Sequence, residues 1–110
     1  MQAKYRLKNN ASFSYIYKNG RRYYNKYIIL FVSDTKYGLK AGFSVGKKVG
    51  KSVARNRVKR KMREAFRLII PQLARNNYVL IANPPVAELS YREISSCILS
   101  LLEKAGALRR

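Results

Sequence analysis

The chain has 110 residues, with 24 Lys plus Arg against 5 Asp plus Glu and no His, giving a formal net charge of +19 at pH 7. This length suits one domain spanning residues 1–110 and leaves little room for a second. Without His, the usual acid/base of neutral-pH catalysis and the commonest zinc ligand are both missing.

Disorder does not follow from the charge. Nine Tyr, four Phe and 47% hydrophobic residues supply a core, and a domain of this size buries roughly 65% of its unfolded surface. Self-repulsion at +19 is a standing cost that a polyanion relieves. Nucleic acid is the first partner class, because each neutralised phosphate releases counterions. An anionic membrane surface is the weaker alternative, since no long apolar tail or strongly amphipathic terminal helix accompanies the basic residues. The lone Cys97 cannot form an intramolecular disulfide, which suits a reducing compartment. MQAKYRLKNN lacks the apolar stretch of a secretory signal, and the apolar run near Tyr27 to Val32 is too short to span a bilayer. A cytoplasmic location is expected.

The elements follow in chain order. NNASFSYIYKNG places Phe13, Ile16 and Tyr17 at helical spacing, with Asn9 or Asn10 as cap and Gly20 as stop. RRYYNKYIILFVSD is aromatic and β-branched and reads as strand. Asp34 to Gly38 reads as a turn. Leu39, Ala41, Phe43 and Val45 then alternate with Lys40, Gly42 and Ser44, the period of a half-buried strand. Gly46 to Lys51 is a basic loop. From about Ser52 to Ile70 the spacing predicts a long helix with Val58, Met62, Ala65, Phe66, Ile69 and Ile70 on one face, stopped by Pro71. Tyr78 to Ala82 suits a central strand, and Asn83-Pro84-Pro85 breaks it. Ser90 and Glu93 form a capping box, opening a helix with Ile94, Ile98, Leu101, Leu102 and Ala105 inward, Cys97 as a small core residue and Gly106 as the stop. The expected class is α+β, a sandwich of sheet and helices.

Residues 47–67 carry the chemistry. Ten of these 21 are Lys or Arg, and Glu64 is their single acid. On the helical projection Asn56, Arg57, Arg60, Lys61, Arg63 and Arg67 lie opposite the apolar face, while Arg55 and Lys59 project toward its border. Like charges at i, i+4 repel by a few tenths of a kcal/mol, and cations at a helix N-terminus oppose the macrodipole. An anion removes both costs. Lys47, Lys48 and Lys51, at the start of this helix, are therefore expected to form a phosphate-binding loop. The segment GKKVGKS is not a nucleotide-binding P-loop, because only three residues separate Gly46 from Gly50. The five acids, Asp34, Glu64, Glu88, Glu93 and Glu103, are too scattered along the chain for two-metal phosphodiester cleavage. No catalytic side chain and no metal site are expected.

SVGKKVGKSVARNRVKRKMREAF resembles the signature of the bacterial ribonuclease P protein family. RLKNNASFSYIYKNG is similar to that family's opening helix, and YVLIANPP with the helix after it falls where the family has a strand and a helix. The resemblance implies an αβββαβα fold with a mostly antiparallel central sheet and a left-handed βαβ crossover, an exception to the usual hand. It implies a small protein partner, one per RNA, of a catalytic RNA that removes the 5′ leader from precursor tRNA. Mg2+ would then be used by the RNA subunit, with no protein-bound cofactor. By this likeness Arg55, Asn56, Arg57, Lys59, Arg60 and Arg63 would face the RNA subunit. Phe13, Tyr17 and Phe31 would line a cleft for the single-stranded leader, although spacing alone favours core for these three rings. Tyr17 stands where the family commonly has Phe, and Lys51 where many relatives have Asn. The alternative class is a structural RNA-binding protein of ribosomal type, with no part in cleavage.

Overall fold

The computed structural model describes residues 5–7, 10–36 and 38–109. In chain order these form α1 (Asn10–Asn19), β1 (Arg21–Tyr24), β2 (Ile28–Asp34), β3 (Lys40–Val45), α2 (Ser52–Ile69), β4 (Asn76–Ala82) and α3 (Tyr91–Lys104). This is the expected αβββαβα order. Asn10 is already the first helical residue of α1, and Asn9 lies outside the described residues.

The long aromatic and β-branched run is divided into two strands. The Asn25 Oδ1 accepts the backbone N–H groups of Tyr27 and Ile28, at 2.8 and 2.9 Å, and turns the chain into a β1–β2 hairpin. Asn favours this because its short side chain replaces a backbone acceptor. The sheet order is β1-β2-β4-β3. The β1–β2 and β2–β4 pairs are antiparallel, and β3–β4 is parallel. Parallel neighbours need a crossover, and α2 supplies it.

β4 is central, as its unbroken apolar run predicts, and both its faces are covered. Tyr78 and Leu80 point toward α2 and α3, where Phe66, Met62, Ile94, Ile98, Leu101 and Leu102 complete the main core. Phe43, Phe66 and Tyr78 stack edge to face at 5.6 Å between successive centroids. The Tyr78 hydroxyl donates to the Ala74 carbonyl at 2.7 Å. The other face meets α1, where Ile16 and Val79 are buried outside the main cluster. Gly42 is buried for the same reason, so β3 is not half-exposed as its alternation predicts.

The capping box of α3 is present. The Ser90 Oγ accepts from the Glu93 N–H at 3.2 Å, and the Glu93 carboxylate accepts from the Ser90 N–H at 3.0 Å. These hydrogen bonds hold the Glu93 carboxyl below its usual range. Gly106, at φ 67°, ends the segment. Cys97 is half-buried against the core rather than within it.

Candidate nucleic-acid interface

The basic segment enters α2 through a short 3-10 turn, Lys47–Val49, and Gly50 at φ 153°. Lys51 occupies the N-cap position without a side-chain cap, and no acid stands in the first turn. The first N–H groups of α2 therefore lack a side-chain acceptor, and Lys47, Lys48 and Lys51 are exposed around them. Arg55 is half-buried. One of its terminal nitrogens donates to the Ser52 Oγ at 3.1 Å, while its buried Nε has no partner.

The structure sorts Asn56 and the remaining cations of α2 into three groups. Asn56, Arg57 and Arg60 are exposed along the outer crest. Arg67 shares that crest but is paired with Glu64, at 2.9 Å. Lys61 does not: it is half-buried, and its ammonium donates to the Leu89 carbonyl at 3.4 Å. Arg63 also leaves the crest. With Lys59 it turns toward β3, and both line a cavity of about 330 Å³ shared with Phe13, Gly42 and Arg6. Two residues apart, Lys61 and Arg63 leave the crest on opposite flanks of the helix, and an isolated projection does not show what packs against either flank. Both residues are half-buried there, in contrast to the exposed crest.

On the opposite side of the sheet, α1 crosses from β3 toward β1. Tyr17 stacks edge-on against Phe31 at 5.2 Å between centroids, and Phe13 lies 6.3 Å from Tyr17. Strand alternation carries Phe31 to the α1 face, away from its buried neighbours Leu30 and Val32. Phe13 and Phe31 are half-buried and Tyr17 is 41% exposed, so the three rings are neither sealed core nor free surface. Phe13, Ser14, Tyr17 and Ser44 border a cavity of about 370 Å³. Partial burial raises the Tyr17 hydroxyl above its ordinary pKa. Phe13 also lines the cavity of Lys59 and Arg63, so aromatic cleft and basic helix meet at one ring.

Three neighbours were not foreseen from the sequence. Arg22 and Tyr24 pair across the β1–β2 ladder with Phe31 and Ile29 and share their face. Both are exposed, and the Arg22 guanidinium lies over the Tyr24 ring at 4.9 Å. The alternation in RRYY was the available signal. Gly42 is the third. A Cβ there would sit 2.4 Å from the Phe13 Cζ and 2.6 Å from Cε1. Glycine inside a strand marks such a close approach. Gly42→Ala is expected to displace Phe13 at a cost of roughly 1–3 kcal/mol. Its destabilisation, measured by denaturant unfolding, should shrink in a Phe13→Ala background. Equal losses in both backgrounds would refute the steric coupling.

The match to known proteins covers this whole arrangement. The family model described as Ribonuclease P matches residues 1–106. The chain belongs to the ribonuclease P protein family. It is 40% identical over 116 residues to the "Ribonuclease P protein component" of Geobacillus sp. (strain WCH70), covering 100% of this chain and 97% of that one. The corresponding component of Finegoldia magna is 38% identical, with 96% and 95% covered. Among solved structures, the Staphylococcus aureus RNase P protein superposes with a TM-score of 0.89 at 30% identity, covering 96% of this chain and 98% of that one. In this ribonuclease P family chain the structure brings Phe13, Tyr17 and Phe31 together. It places Asn56, Arg57 and Arg60 on a separate crest, with Lys59 and Arg63 between the two.

Proposed function

We propose that this chain is the protein component of ribonuclease P, the ribonucleoprotein that removes the 5′ leader of precursor tRNA. In this reading Asn56, Arg57 and Arg60, with the loop lysines 47, 48 and 51, bind the catalytic RNA. Phe13, Tyr17 and Phe31 stack the bases of the single-stranded leader. Stacking is worth roughly 1–3 kcal/mol per base and tolerates any sequence, which a variable leader requires. Lys59 and Arg63 then neutralise leader phosphates beside Phe13 rather than the RNA subunit. The observation that carries this reading is the cavity in which those two cations share walls with Phe13.

Bond-breaking is assigned to the RNA and its Mg2+, one protein serving one RNA. Three of the protein's five acids support this by their other engagements. Glu64 pairs with Arg67, Glu93 closes the α3 cap, and Asp34 lies 3.9 Å from Arg21. The setting is cytoplasmic in this reading. Among the described residues no helix is long and apolar enough to cross a membrane.

The deciding experiment adds the protein to ribonuclease P RNA and precursor tRNA at low Mg2+. Cleavage at the mature 5′ end should rise. No stimulation would instead favour an RNA-binding protein of structural, ribosomal type, and cleavage by the protein without RNA would move the chemistry onto its side chains.

A further inference from the structure

A second cationic concavity lies at the far end of α2. Lys40 at the start of β3, Arg75 just before β4 and Arg109 near the C-terminus line a cavity of about 580 Å³. Leu39 and Leu73, both buried, contribute apolar lining. None of the chain's five acids borders it. Converging like charges over apolar walls focus the field at such a place.

The two arginines differ in how they are held. Arg109 is anchored where α2 ends: its backbone N–H donates to the Gln72 carbonyl at 2.6 Å and its guanidinium to the Pro71 carbonyl at 3.1 Å. The negative end of the helix dipole favours a cation there. One carbonyl uses only part of a five-donor fork, so the guanidinium keeps N–H groups for an anion. Arg75 is exposed, and its side chain has no hydrogen bond or ion pair among the described residues. A purely structural role explains Arg109 but leaves Arg75 without a reason to stand beside it.

Position separates this site from the basic crest. Ile70, which follows α2 at the cavity wall, lies 13 positions beyond Arg57, about 20 Å at the α-helical rise. A small anion could fill one position only, whereas a folded polynucleotide can span both. We propose that the Lys40, Arg75 and Arg109 concavity is a second phosphodiester-binding site, taking backbone phosphates of an RNA that α2 already holds. This deepens the proposed function and rests on its assignment of RNA as the partner.

The test compares wild type with Arg75→Gln/Arg109→Gln, measuring affinity against salt for ribonuclease P RNA and, separately, for precursor tRNA. The log–log slope should fall by roughly 1–2 for one of them, which names the source of the phosphates. Arg75→Lys/Arg109→Lys should restore it. Arg92→Gln/Lys104→Gln, removing two exposed cations from α3, should leave the slope unchanged. Wild-type slopes for both RNAs would overturn the proposal, and a lowered melting temperature alone would reduce the cluster to a helix cap. An equal fall in the α3 control would overturn it too, as general charge loss. If the double variant is unfolded by circular dichroism, Arg75→Gln alone decides, with an expected fall of about 1. Failure of the wild-type protein to stimulate cleavage would count against the proposed function only. The precursor-tRNA slope would still decide this site.

Discussion

Arg57→Ala combined with Arg60→Ala is expected to weaken binding to ribonuclease P RNA by about 60-fold near 0.1 M salt. The figure follows from counterion release. Each lost phosphate contact removes roughly 0.9 from the log–log salt slope, a factor of about 8 between 1 M and 0.1 M salt, and two contacts multiply. Both side chains are exposed and lack ion pairs among the described residues. Their removal also relieves like-charge repulsion along α2, so the melting temperature should hold or rise. Arg67→Ala is the internal comparison. Its guanidinium is already engaged by Glu64, so the loss should be smaller. An unchanged slope in the double variant would remove the crest from the RNA interface.

Phe13→Ala should weaken precursor tRNA binding by the assembled ribonucleoprotein and leave mature tRNA almost untouched. Loss of one stacked base is worth roughly 1–3 kcal/mol, or about 5- to 150-fold. Half-buried between α1 and β3, the ring also contributes to packing, so unfolding must be followed alongside binding. Tyr17→Phe separates the two roles. It keeps the ring, removes a hydroxyl raised by burial, and should retain discrimination for the leader. Equal losses for precursor and mature tRNA after Phe13→Ala would rule out stacking on the leader.

Local rules were enough wherever one element decides its own fate. The capping box at Ser90 and Glu93, the stop at Gly106 and the apolar face of α2 all formed where spacing placed them. Each depends on neighbours within about four residues. The Asn25 turn was hidden because it interrupts a run of uniform strand propensity with a single polar side chain. The lone Cys97 read as core because residue type favours burial, yet its position on α3 leaves it half-buried.

The site shows the same division. Charge, the Arg55-Asn56-Arg57 run and the aromatic helix are written in the chain and point to a polyanion without any coordinates. Which cation faces which surface is not written there. Lys61 and Arg63 flank the crest of the helical wheel on opposite sides, and one reaches the Leu89 carbonyl while the other lines a cavity beside Phe13. The difference comes from β3, α1 and the segment before α3, which the wheel does not contain.

By itself, then, the sequence determined a strongly cationic α+β chain and where its second and third helices begin and end, because charge is additive and capping is local. Only tertiary structure decided that Gly42 makes room for Phe13, that three rings stay half-open, and that Arg75 and Arg109 meet across 34 residues of chain. Those outcomes depend on packing between segments distant in sequence, where tenths of an ångström select one arrangement and no residue carries the information alone.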